Sequence, residues 1–259
     1  MSLPPTVLVI AATDSSGGAG LTRDVQVLRD LGVNALCVVT AVTAQSDSAV
    51  TAVHHVPPEV IRAQIKAALD TRPVHAVKIG MLGTRVTVEA VAQALSETQE
   101  PSPGRAKTLS LRHVPLVIDP VLVSSSGGIL LDEVGRAVMT GALFPIATLV
   151  TPNVPEAAAL LGQPIATDES VLLEQGRRLL HLGSKAILLK GGHSTGPDAV
   201  DLLLTRDGVE RLKAPRAANS SRGTGCALAS AVAAGLASGK TLLEACTAAK
   251  SYVRGMLTP

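Results

Sequence analysis

Aromatic side chains are almost missing from this chain, which has no Trp, a single Phe (Phe144) and a single Tyr (Tyr252). Single-stranded nucleic acids stack their bases on aromatic platforms, so that mode of binding has nothing to work with. The charge pattern agrees. The 23 basic and 21 acidic residues are scattered along 259 positions for a net charge of +2, which leaves no basic stripe for a phosphate backbone. Cysteine is scarce as well. Cys37, Cys226 and Cys246 are odd in number and lack paired spacing, so neither a disulfide framework nor a zinc site is expected, and the compartment reads as cytoplasmic. No apolar run approaches the roughly 18 residues of a membrane span. Met1 to Pro5 holds no basic segment followed by a long apolar one, so targeting is not expected either.

What is present is an aliphatic α/β pattern. Hydrophobic residues make up 46% of the chain, and no composition break marks a linker, so one domain over residues 1–259 is expected. Thr6 to Ala12 is an unbroken apolar run, as in a strand buried on both faces. Leu36 to Ala44 reads the same way, and shorter runs follow at Ala76 to Leu82, Pro115 to Ile118, Ala147 to Val150 and Ala186 to Leu189. Helices are read at 21–31, from Pro57 through Leu69, at 84–95, from the 223–226 turn to Leu236, and at 242–257. The polar stretch 96–113, with Pro101, Pro103 and Gly104, reads as a surface loop. Val200 to Leu204 and Val209 to Leu212 flank Thr205-Arg206-Asp207-Gly208, a hairpin signal for an antiparallel edge. Polar residues follow strand after strand, and in an open parallel sheet those carboxyl ends form one ligand crevice.

Two glycine-rich loops draw the chemistry. Asn219-Ser220-Ser221-Arg222-Gly223-Thr224-Gly225-Cys226 runs directly into an Ala- and Leu-rich helix. Glycines let backbone approach a ligand, and the unpaired N–H groups of a first helical turn attract an anion, phosphate above all. Asp14-Ser15-Ser16-Gly17-Gly18-Ala19-Gly20 also follows a strand and opens a helix, but Arg23 stands where a dinucleotide fingerprint needs its third glycine. Ala234 to Thr241 matches a relaxed P-loop pattern in the wrong context. It ends one helix, with Gly239 as the C-terminal cap and Thr241 with Glu244 as a capping box for the next.

Asp14 to Gly20, Thr43-Ala44-Gln45, Lys78-Ile79-Gly80-Met81-Leu82, Asp119-Pro120-Val121, Thr151-Pro152-Asn153 with Glu156, Lys190-Gly191-Gly192-His193 and Gly223 to Cys226 occur in an order that resembles the hydroxymethylpyrimidine/phosphomethylpyrimidine kinases. These are thiamin-biosynthesis enzymes of the ribokinase-like superfamily. The resemblance implies a three-layer α/β fold, with a mostly parallel central sheet flanked by helices on both faces, usually assembled as a homodimer. It also implies transfer of the ATP γ-phosphoryl group to a pyrimidine's hydroxymethyl group and then to the resulting monophosphate. Gly223, Thr224, Gly225 and Cys226 would form an anion hole, with Lys190 and Thr224 on the nucleotide phosphates. Asp119 and Glu156, joined by Asn153, would hold Mg²⁺; an Asn-x-x-Glu capping box is the alternative for the last two. Gln45, Asp24, Met81, Val121 and Ala12 would line the pyrimidine pocket. Cys226 would be the catalytic base, its thiolate favoured by the helix N-terminus and by Arg222; a small packing residue is its alternative. The family usually has Gly-Ser-Asp at Ala12-Thr13-Asp14 and His at Arg222, and its Gly-His-Gly-rich tail is not found before Pro259. A pyridoxal kinase and a non-catalytic pyrimidine-binding protein are the competing readings.

Overall fold

Residue alternation along the first strand, β1 (Thr6–Asp14), divides the interior into two cores. Leu8 and Ile10 pack into one, and Val7, Val9 and Ala11 into the other, as the two-residue period of a strand requires. A computed structural model describes residues 3–97, 111–124, 127–191, 197–217 and 221–258. Among these, β1 is joined in one sheet by β2 (Asn34–Gln45), β3 (Val50–His55), β4 (Ala76–Ile79), β5 (Leu116–Ile118), β6 (Leu149–Val150), β7 (Ala186–Leu189), β8 (Asp198–Thr205) and β9 (Val209–Pro215), in the order β3-β2-β1-β4-β5-β6-β7-β8-β9. The six strands from β2 to β7 in that order pair in parallel, while β3, β8 and β9 join antiparallel at the two edges.

The first core takes helices α2 (Pro58–Thr71), α3 (Arg85–Glu97), α4 (Glu133–Ala142), α5 (Val154–Leu161) and α6 (Glu169–Leu180). The second takes α1 (Gly20–Asp30), α7 (Thr224–Ala237) and α8 (Leu242–Leu257), which completes three layers. The chain starts in the middle of the sheet and builds outwards to both sides of β1 and β4, so the switch in strand order falls between them. That is where open α/β sheets bind ligands. Helix α7 is buried from Ala227 through Gly235; its small side chains let it lie against β1, β4 and β5 and bring its first turn to their carboxyl ends.

Several expectations need adjustment. Strand β2 is not buried along its length: Val42 is 51% exposed and most of β3 faces solvent, because β3 pairs it at the sheet edge with no buried cover over that end. β3, α4 and α6 went unread; β3 is short and almost wholly exposed, whereas α4 and α6 carry an apolar face and an Asp N-cap that could have marked them. The 200–212 hairpin is the antiparallel β8–β9 pair, and Thr241 with Glu244 forms the expected capping box of α8. Most of the 96–113 loop lies outside the described residues, as do Gly192, His193, Asn219 and Ser220.

Candidate active site

The two glycine-rich loops touch. Gly223 is the N-cap of α7 at φ +75°, and a Cβ there would collide with the Gly18 carbonyl and stand 3.1 Å from Ala19 Cα. Gly20, at φ +58°, leaves no room either, since its Cβ would lie 2.5 Å from the Ala12 carbonyl oxygen. Both positions therefore need glycine for conformation and for space. No side chain caps α7 and no acid occupies its first turn, so the N–H groups of Thr224, Gly225 and Cys226 and the positive helix end are left to a ligand.

Beside this turn, three charges meet. Lys190, at the exit of β7, places Nζ 2.8 Å from Asp119 Oδ1 and 3.8 Å from Glu156 Oε2. Asp119 leaves β5 and also accepts from Thr151 Oγ1 at 3.2 Å. A Cβ on Gly225 would sit 3.1 Å from Lys190 Nζ and 3.7 Å from Asp119 Oδ2, which measures how closely the bare helix start approaches the charges. Burial would raise Asp119, but Lys190 and Lys78, together with the two side-chain hydrogen bonds, hold its carboxyl below the usual range. Burial would lower Lys190, yet Asp119 and Glu156 keep it protonated well above its ordinary value. Burial raises Glu156, Lys190 opposing and Asp119 assisting. Asn153 and Glu156 form a reciprocal capping box on α5, each bond 2.8 Å. The capping alternative is thus realised, and it points the Glu156 carboxylate at Lys190.

A cleft of about 460 Å³ opens on this cluster, lined by Asn153, Lys190, Thr224, Gly225, Asp201 and Lys250 among others. It gathers the residues expected on the nucleotide side. Asp201 and Lys250 were not anticipated: Asp201 accepts from Lys250 Nζ at 2.7 Å and from the Gly191 N–H at 2.9 Å. The available signal was an acid interrupting the apolar run of β8.

Gln45 lies on the other side, at the end of β2, half-buried. Its N–H donates to Ser15 Oγ and its carbonyl accepts from the same hydroxyl, both at 2.8 Å, and Thr43 Oγ1 lies 3.3 Å from Oε1. Met81 and Val121 are half-buried at the exits of β4 and β5.

Three expectations are corrected. Asp24 is 0% exposed and binds Lys78 Nζ and Ser230 Oγ, each at 2.8 Å, so it has no exposed surface with which to line a pocket. Ala12, 2% exposed, contributes its backbone at a β1 irregularity, where its carbonyl abuts Gly20. Cys226 does not have a lowered pKa: burial pushes its thiol up to about 12, with Asp119 and Asp24 adding to the rise and Lys78 and the Gly20 N–H opposing it. Desolvation outweighs both of those opposing groups. Arg222 gives the thiolate no help either, its guanidinium being engaged by Asp14, Asp47 and the Ser46 carbonyl.

Comparison with known sequences decides what this arrangement belongs to. The family described as phosphomethylpyrimidine kinase matches residues 14–258. The chain belongs to that family. A hydroxymethylpyrimidine/phosphomethylpyrimidine kinase of Rhizobium meliloti is 41% identical over 97% of this chain and 90% of its own. Among solved structures, phosphomethylpyrimidine kinase of Clostridium difficile superposes with a TM-score of 0.81 at 31% identity, over 98% of this chain and all of the other. Bacillus subtilis pyridoxal kinase, solved as an ADP complex, gives 0.83 at 29% identity, over 96% and 90%. The fold is ribokinase-like, and the protein is a phosphotransferase.

Proposed function

We propose that this kinase moves the ATP γ-phosphoryl group to 4-amino-5-hydroxymethyl-2-methylpyrimidine, and then to its monophosphate. The observation that carries the reading is the meeting of a bare α7 N-terminus with Lys190, Asp119 and Glu156 at the mouth of the cleft. Phosphoryl transfer needs alignment and charge neutralisation more than covalent help. The N–H groups of the Gly223–Cys226 turn and Lys190 Nζ would hold the transferring phosphate, and the neighbouring cleft with Asn153 and Thr224 would take the nucleotide. Asp119 and Glu156 would hold Mg²⁺. Mg²⁺ keeps several waters and binds through one or two carboxylates and phosphate oxygens, a demand that two carboxylates can meet. Such an ion supplies further neutralisation of phosphate charge.

Gln45 would read the aminopyrimidine edge with one donor and one acceptor, Met81 and Val121 giving that pocket its apolar walls. Cys226 Sγ, once ionised, would accept the hydroxyl proton as the oxygen attacks. Overall shape does not separate a pyrimidine from a pyridoxal kinase, the two superpositions being 0.81 and 0.83, so the acceptor has to be tested. ADP release is measured with Mg-ATP and, in parallel, hydroxymethylpyrimidine, its monophosphate or pyridoxal. Turnover with the pyrimidines above that with pyridoxal supports the reading; pyrimidine binding without ADP formation overturns it in favour of a binding protein. A cytoplasmic homodimer completes the proposal, and light scattering during gel filtration reads the assembly.

A further inference from the structure

Arg222 immediately precedes the anion turn, yet its guanidinium is used elsewhere. Nη2 donates to Asp14 Oδ2 at 2.9 Å, and Nη1 to the Ser46 carbonyl at 2.7 Å, to Asp47 Oδ1 at 3.0 Å and to Ser16 Oγ at 3.3 Å. One side chain thus joins three loops: the turn after β1, the β2–β3 connection and the entry to α7. The contacts are not equal. Asp14 is only 2% exposed, whereas the Asp47 side chain is 93% exposed; a charge-assisted bond away from water is strong, and one in water is weak. Asp14 also anchors its own turn, its other oxygen accepting from Ser16 N–H at 2.9 Å and Ser16 Oγ at 2.8 Å.

The Ser46 carbonyl is the contact with consequences. Ser46 follows Gln45, whose backbone is already tied on both sides to Ser15 Oγ, and Arg222 is covalently next to Gly223. A displacement of the Gln45 loop is therefore passed to the anion turn through one planar group, itself held by a buried carboxylate. We propose that Arg222 is a positioning residue that sets the spacing between the acceptor-reading loop at Gln45 and the anion turn Gly223–Cys226. This rests on the functional reading above, in which those two elements hold the two reacting partners. Arg222 touches neither reactant. It acts by keeping the acceptor oxygen aligned with the phosphoryl group, where a misplacement of about 1 Å costs on the order of 10² in rate.

Lysine separates this role from a structural one. Arg222→Lys can restore the ion pair with Asp14, but a point charge cannot also span to the Ser46 carbonyl as the fork does. Wild type, Arg222→Lys, Arg222→Ala and Asp47→Asn are compared by thermal melting, by steady-state kinetics with hydroxymethylpyrimidine and Mg-ATP, and by hydrogen exchange of the free protein. Arg222→Lys is expected to melt near wild type while its kcat falls about 10²-fold with KM for Mg-ATP changed less than about twofold. Amides of residues 46–49 should exchange faster in both Arg222 variants, and Asp47→Asn should resemble wild type. Wild-type kcat in Arg222→Lys, or unchanged exchange at 46–49 in both variants, overturns the proposal. Failure of wild type itself to phosphorylate the pyrimidine would remove the functional reading instead, and the exchange experiment, needing no substrate, then judges the loop coupling by itself.

Discussion

Lys78 is among the largest fully buried side chains of the molecule's described core, and its removal gives the sharpest test of how the site is supported. It lies on β4 between Val77 and Ile79, which face the first core, and so points with Ala76 towards α1 and α7. Its Nζ is 2.8 Å from Asp24 Oδ2, with both side chains 0% exposed, and Ser230 Oγ holds the other Asp24 oxygen at 2.8 Å. Burial opposes both charges: it raises the Asp24 carboxyl, and it would lower Lys78 were the Asp24 carboxylate not beside it keeping the proton on. Lys78→Met leaves a carboxylate with no counter-charge, and breaking a buried pair in this way costs about 3–5 kcal/mol. With an unfolding entropy of about 2.1 cal/mol/K per residue, 259 residues give about 0.5 kcal/mol/K, so Tm should fall by about 6–9 °C. Lys78→Met with Asp24→Leu removes both desolvation penalties and should recover most of that loss, because apolar replacements of buried pairs are commonly neutral or stabilising. Urea unfolding and calorimetry read both variants. A single variant within about 1 kcal/mol of wild type, or a double variant no better than the single one, would refute the reasoning.

The double variant should nevertheless lose activity, since Lys78 is the charge that opposes the upward shift of the Cys226 thiol. That thiol, pushed up to about 12, is protonated at neutral pH, so if it must ionise before accepting the hydroxyl proton, kcat/KM should climb about tenfold per pH unit from 6 to 9. Cys226→Ala should flatten that profile and lower turnover by about 10²–10⁴-fold with little change in Mg-ATP affinity; near-full turnover would leave the turn as an anion hole alone. Lys190→Ala should cost about 10²–10³-fold in kcat, the range for loss of one transition-state donor, measured with saturating Mg-ATP. Gly225→Ala should disturb stability little but activity strongly, its methyl reaching 3.1 Å from Lys190 Nζ, whereas Gly223→Ala, at φ +75° and against backbone, should lower Tm as well.

Much of the architecture was legible because long apolar runs and Gly-rich turns have local causes. β1 is seven consecutive buried residues before Thr13, and the capping box at Thr241 and Glu244 is a four-residue signature. The site was legible to the extent that it sits on strand exits: Asp119, Asn153 and Lys190 converge because β5, β6 and β7 are neighbours. What local reading cannot give is the partner. Asp24 follows a helical face in sequence, but its burial is set by Lys78, 54 positions away, and by Ser230, 206 positions away. The lowered thiol pKa expected at Cys226 is not found, and for the same reason. The residue's helix N-terminus is a local feature that favours thiolate, while the desolvation and the Asp119 and Asp24 charges that raise the pKa come from elements distant in sequence.

The cations of the site have a common arrangement that bears on how it binds. Asp14 is paired with Arg222, Asp119 with Lys190 and Asp201 with Lys250, at 2.9, 2.8 and 2.7 Å. Without ligand, each partly buried charge already has its counterpart, which avoids the cost of an uncompensated one. A phosphate arriving alone must therefore take Lys190 from Asp119 and leave two carboxylates, Asp119 and Glu156, facing each other unpaired. Those carboxylates would offer hard oxygen ligands of the kind Mg²⁺ takes up. Were Lys190 to turn to the phosphate and Asp119 with Glu156 to hold the cation, no buried charge would be stranded, so the cleft should favour Mg-ATP over free ATP. Titration calorimetry with ATP, with and without Mg²⁺, measures the difference. In Asp119→Asn, where Lys190 is already free of its strongest partner, free ATP should bind more tightly than to wild type and the gain from Mg²⁺ should shrink; an unchanged gain would mean that the pairs are bystanders to nucleotide binding.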